Sequence, residues 1–232
     1  MKNLIIGIGI LLVSFPSLGQ SKINLKLKKE LDSILFEDQN LRTLISSELL
    51  QTKSDSLATA FNIDKKKLIP YIIKQIPISD SLNLIRIEQI IKQFGYPGLT
   101  MVGPETNEAA FYVIQHSTKI DTYLPLIKKA ANKKEIDFKL YAMMLDRSLV
   151  YKQKEQIYGT QGKGFNVFNK TTGEKEFKNI IWPIKNLNKV NHLRRKAGFT
   201  STVEENAKRL GIDYYPYTLA DVKKMQQSGM DK

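Results

Sequence analysis

Proton-transfer chemistry near neutral pH has few places to sit in this sequence, because it contains two histidines, His116 and His192, and no cysteine. His116 closes the run Ala109 to Ile114, which is apolar on every side and reads as a buried helix over Pro104 to His116. Gln115 beside it is a second polar group that needs a partner if buried. A helix over 137–152 carries Phe138, Tyr141, Ala142, Leu145 and Leu149 as its apolar stripe, interrupted by Asp146 and Arg147. Burying either charge is costly without a partner. One reading makes His116 a general acid or base, Asp146 the carboxylate that orients it, and Arg147 a ligand for an anionic group. The competing reading makes His116 a satisfied core residue and leaves Asp146 and Arg147 in structural ion pairs or surface contacts.

Tyr158-Gly159-Thr160-Gln161-Gly162 offers a phenol, a hydroxyl and a carboxamide between two glycines that permit close backbone approach. Tyr158, Thr160 and Gln161 are therefore candidate substrate contacts; the alternative is a decorated hairpin edge. Arg194 and Arg195 point about 100° apart on a late helix, so at most one faces inward. Arg194 joins the candidates for binding an anion, with a solvated basic face as the alternative. No metal constellation is legible: two histidines without His-x-x-x-His spacing fall short of a zinc or iron pattern. Nor is there a Gly-x-Ser-x-Gly elbow or a lysine placed for a phosphate-binding loop, and no cofactor is expected.

Helices must position these groups. Apolar periodicity predicts helices over 22–53, 54–75, 80–94, 104–116, 121–133 and 137–152, with Pro70 and Pro77 as turns or helix starts. Alternation between 156 and 184 around Thr171-Thr172-Gly173 predicts a β-hairpin. Helices return over 187–197 and 202–210, the second opened by a Thr202/Glu205 capping box, before a loose tail with a short helix near 218–227. The fold class is mainly α: a multi-helix domain with a small antiparallel β-hairpin insertion. Its expected divisions are an N-terminal helical region at 20–78, a core α domain at 79–217 with the hairpin near 156–184, and a tail at 218–232.

Residues 1–19 read as a secretory signal: one lysine, a short apolar run from Leu4 to Phe15, then Pro16-Ser17-Leu18-Gly19 before a cut. An uncleaved N-terminal anchor is the alternative. The mature chain would begin near Gln20 and be periplasmic or secreted, with no lipobox cysteine and no transmembrane helix. The absence of cysteine also excludes disulfides, thiolate zinc sites and cysteine nucleophiles. A net charge of +13 permits anionic partners. In an exported protein with scattered lysines, an anionic envelope component fits better than nucleic acid, and a solvated basic surface is the plainest account.

Several separated motifs together resemble an exported, Bacteroidota-type branch of a bacterial domain-of-unknown-function family. They are Leu27 to Ser33 with Asp38-Gln39, Asp80-Ser81-Leu82-Asn83, Gly95-Tyr96-Pro97, Val102-Gly103, Gln115-His116, Asp146-Arg147 and Tyr158 to Gln161. The resemblance spans about residues 26–222. It implies that Gln115, His116, Asp146, Arg147 and the Tyr158–Gln161 loop share a site, and it implies no reaction. The family pattern follows Gln-His closely with an acid; here Ser117 and Thr118 follow, and the next acid is Asp121. Two functions are therefore expected to compete. One is a periplasmic hydrolase or transferase with a His/Asp/Arg site; the other is a binding protein whose polar cluster is structural.

Overall fold

The computed structural model describes residues 23–45, 47–169 and 172–230. The expected leader, residues 1–19, lies outside them. Helix α1 (Leu25–Leu44) starts at Asn24, whose side chain accepts the Leu27 N–H. Leu27, Leu31 and Ile34 recur at helical spacing and are buried, and the next position in that series is Asp38. A carboxylate thus stands where a core residue is due, and it has to be paired.

Helix α2 (Ser47–Ala60) leads to α3 (Leu68–Phe94), one continuous helix where the prolines predicted breaks. Pro70 falls in the first turn, where its missing N–H has no intrahelical partner to lose. Pro77 is interior, and it removes the bond to the carbonyl of Ile73. Ile73 lies on the solvent side of the helix, where water replaces that bond at least cost. Short α4 (Leu99–Val102) precedes α5 (Ala109–Gln115), α6 (Ile120–Asn132) and α7 (Phe138–Tyr151). Leu31, Ile34, Ile87, Ile90, Phe111, Ile114, Ile127 and Met144 knit α1, α3, α5, α6 and α7 into the main core.

The stripe predicted for α7 needs correction. Its buried residues are Leu140, Tyr141, Ala142, Met144, Asp146, Ser148 and Val150, so Leu145 and Leu149 are only partly covered. The helix packs on α6 and also receives the 157–160 loop on Asp146, and a single-stripe pattern cannot anticipate a helix covered on two sides.

Strands β1 (Gly162–Asn169) and β2 (Glu174–Ile181) form the antiparallel hairpin, with Gly162 opposite Ile181 and Asn169 opposite Glu174. The chain is therefore mainly α with a small hairpin, as its periodicity indicates. Helix α8 (Val190–Lys196) and helix α9 (Val203–Arg209), the latter with its Thr202/Glu205 capping box, pack Val190, Val203 and Ala207 against Ile181 and Ile184. Helix α10 (Leu219–Met230) is the short helix expected near 218–227, running slightly further than its expected end. Its Val222, with Met225 and Tyr217, covers Phe165, Val167, Ile180 and Trp182 of the hairpin region. A two-residue apolar contact suffices to dock this helix, because the hairpin offers a ready apolar face.

Candidate functional site

Helices α1 and α5 lie side by side and run in the same direction. Lys28 and Asp32 meet Thr106 just before α5, and Asp38 meets His116 at its end. Between Glu108 and His116 only Glu108, Tyr112 and His116 escape burial. They are four residues apart, so they form one stripe along the helix. Three groups that can exchange protons therefore line its open side.

Asp38 is fully buried, and its carboxylate lies 3.2 Å from Nδ1 of His116. Gln39 Nε2 donates to the same carboxylate. Arg42 donates to the Asp38 carbonyl at 2.7 Å and to both carboxylate oxygens of Asp80 at 2.8 Å, a two-pronged charge-assisted pair. Its Nη1 stands 3.6 Å from Asp38 Oδ1, so one guanidinium serves two carboxylates. A carboxylate at Nδ1 selects the tautomer with hydrogen on that nitrogen and leaves the lone pair on Nε2. Among the described residues Nε2 has no partner, and the His116 side chain is 17% exposed. Those are the conditions a general base requires.

Asp38, Asp80 and His116 each offer one ligand atom, all within 4.8 Å of one another, a possible divalent-ion set drawn from three helices. Spacing along the sequence could not reveal it. In this arrangement Arg42 already pairs with both carboxylates, and an ion would have to displace it.

The sequence reading paired Asp146 with His116; the carboxylate against His116 is Asp38. Asp146 instead accepts the backbone N–H groups of Ile157, Tyr158 and Thr160 at 2.8–3.1 Å and the Thr160 hydroxyl at 2.9 Å. Burial pushes its carboxyl above the ordinary aspartate range, and these donors pull part of the way back.

The Tyr158–Gln161 loop is clamped from its other side as well. Arg194 is buried, stacks on Phe199 and donates to the carbonyls of Tyr158 and Ser201 and to the Ser201 hydroxyl. Asn206 donates to the Gly159 carbonyl, and the Gln156 side chain bonds both the N–H and the carbonyl of Gln161. Gln161 itself reaches the Thr160 hydroxyl. Gly159 adopts φ +65°, and a Cβ there would stand 2.5 Å from Val203 Cγ2 and 2.9 Å from Ile184 Cδ1. Gly159→Ala is accordingly expected to cost about 2–3 kcal/mol, read as a lowered urea midpoint.

The eight expected site residues thus fall into two groups. Asp146, Tyr158, Thr160, Gln161 and Arg194 converge on one another. Gln115, His116 and Arg147 gather elsewhere, with Gln115 buried and Arg147 Nη1 donating to the Gln115 carbonyl at 3.1 Å. Adjacency of Asp146 and Arg147 on α7 links the groups. Asp121, the acid nearest in sequence after Gln-His, is tied to Ser148 and Lys152.

With this geometry in hand, comparison against family profiles matches residues 55–217 to DUF6624, a family of unknown function. The chain belongs to the DUF6624 family. The DUF6624 span holds Asp80, Glu108, Tyr112, His116 and the whole Asp146–Arg194 clamp, while Asp38 and Arg42 precede it. No significant match was found among curated proteins or solved structures.

Sequence reasoning missed Asp38, Arg42, Asp80, Glu108 and Tyr112 as site residues. A usable signal existed for Asp38, which extends the Leu27–Leu31–Ile34 stripe. Another existed for Glu108, Tyr112 and His116, spaced by four around an otherwise apolar run.

Proposed function

We propose that this chain is an exported hydrolase or transferase that uses His116 as its general base and acid, held by Asp38, on an envelope-derived substrate. The observation that carries the reading is a fully buried carboxylate 3.2 Å from Nδ1 of a partly exposed histidine whose Nε2 has no partner among the described residues. Asp38 fixes the ring and supports the imidazolium formed when Nε2 takes a proton. Arg42 and Asp80 hold Asp38 in turn. Arg147, one bond from the Gln115 carbonyl, is the cation available to a developing negative charge.

The test is a panel of chromogenic carboxylic esters, phosphoesters and glycosides turned over by the purified chain. His116→Ala should lower the rate about a hundredfold or more while leaving the thermal midpoint nearly unchanged. An undiminished rate, or collapse of the fold, would return His116 to a structural role.

A binding function is favoured by a different feature. Ile78, Leu82 and Ile85 on one face of α3 are each about half exposed, an apolar stripe that a partner could cover. In a host lacking the native gene, Leu82→Glu would then fail to restore function while His116→Ala succeeds.

A further inference from the structure

A cavity of about 530 Å³ opens between α1, the turn before α5 and the α6–α7 connection. Leu35 and Tyr112 line it, and one helical turn further on, Asp38 and His116 meet. Because α1 and α5 run in parallel, both offsets point the same way. The cavity therefore sits beside the histidine–carboxylate pair at a distance of about 6 Å along the helices. Tyr112 belongs to both: it lines the cavity, and the Asp38 charge acts on its hydroxyl.

The cavity's charge is opposite to that of the whole molecule. Glu105, Glu108 and Asp137 line it against a single lining lysine, Lys134, while Lys139 pairs with Asp137 at 2.9 Å. Among the described residues no arginine lines it. Leu35, Leu99, Pro104 and Ile136 supply an apolar floor, and the Tyr112 ring adds a face that attracts cations. Burial holds the Glu108 carboxyl above its ordinary range, with Lys139 and the Tyr112 hydroxyl offsetting part of the effect. A carboxylate so placed gains from a positive neighbour.

The walls are also held in costly backbone. Glu105 has φ 66° and ψ −57°, and the Thr106 N–H reaches back to the Pro104 carbonyl at 2.8 Å, a three-residue γ-turn of the rare positive-φ kind. Lys134 has φ 60°. Among the described residues, two of the four non-glycine residues with positive φ thus frame one cavity.

We infer that this cavity is the binding subsite for the non-reacting part of the substrate, and that it takes an ammonium-bearing group through Glu108 and Tyr112. The inference rests on the acid–base reading of His116 for the word substrate, and on the cavity alone for the ligand. An amine seated there places the rest of a sugar-sized molecule within a helical turn of Nε2. The anionic partner suggested by the overall charge does not suit this cavity.

The test uses one ring at three charges: glucosamine, N-acetylglucosamine and glucuronate, titrated into the full chain by calorimetry. Glucosamine should bind most tightly and glucuronate least. Glu108→Gln should weaken glucosamine at least tenfold, and His116→Ala should leave it within twofold. Equal affinities, preference for glucuronate, or indifference to Glu108→Gln would overturn the inference. A second measurement does not depend on the ring. The chain has no cysteine, so Leu35→Cys carries the sole thiol. A trimethylammonium thiosulfonate reagent should modify it several-fold faster than a sulfonate analogue, relative to free cysteine, and Glu108→Gln should shrink the ratio. A ratio at or below that of free cysteine sinks the proposal. Amine binding with an active His116→Ala would instead sink the acid–base reading alone.

Discussion

Asp146→Ala will destabilise the protein by about 4 kcal/mol, lowering the thermal midpoint by roughly 10 °C. The residue is fully buried and accepts from three backbone N–H groups and one hydroxyl. Truncation leaves the three N–H groups unmet in a space water enters poorly, each at about 1–3 kcal/mol. Asp146→Asn keeps one acceptor oxygen and should cost less. The pH response separates the two causes. The native carboxyl holds its proton to higher pH than an unfolded aspartate does. Between those two values the native state binds more protons, so stability falls as pH rises through the raised native value. This contribution is greatest below the ordinary aspartate range and is lost once the pH passes the raised native value. Asp146→Asn should flatten that slope in urea melts taken across the acid range. A wild-type stability that climbs over the same window, with no difference in the variant, would refute the assignment of the slope to Asp146.

That prediction rests on a residue whose importance was legible while its partner was not. An acid in a nearly all-apolar helix announces that it must be paired. Which group pairs it depends on contacts across the chain, and the loop that fills this role starts only eleven positions later. The two glycines of that loop signalled close approach, and Gly159 supplies it against Val203. His116 presents the converse case. Its place at the end of a buried helix was readable from the apolar run before it, but its carboxylate comes from α1, on the far side of three intervening helices in sequence. Helical class and hairpin were readable because each rests on local periodicity. Pro77 misled because its cost depends on whether the orphaned carbonyl faces water, which only packing decides. The short helix of the tail was readable, but the hairpin face that it covers was not, because that contact joins segments distant in sequence.

Asp38 is where a structural and a catalytic role can be pulled apart. Asp38→Ala should cost about 3 kcal/mol, because it opens a void on the buried stripe of α1 and strips His116 and Gln39 of their acceptor. Asp38→Asn behaves differently. It keeps the volume and an acceptor oxygen, and Arg42 retains its two-pronged pair with Asp80. Removing one of two carboxylates that share a guanidinium leaves the local charge balanced, so the stability change should stay within about 1 kcal/mol. Catalysis has no such compensation. A carboxamide does not stabilise an imidazolium as a carboxylate does, and its N–H₂ can select the other ring tautomer, so turnover should fall about a hundredfold or more. The two measurements belong on the same preparations: urea midpoint and turnover for wild type, Asp38→Asn and His116→Ala, with the double variant closing the cycle. If the residues act as one unit, the double variant loses little more activity than either single change. Full activity in Asp38→Asn would make the aspartate a helix-packing device and leave His116 without the partner on which acid–base chemistry at this groove depends.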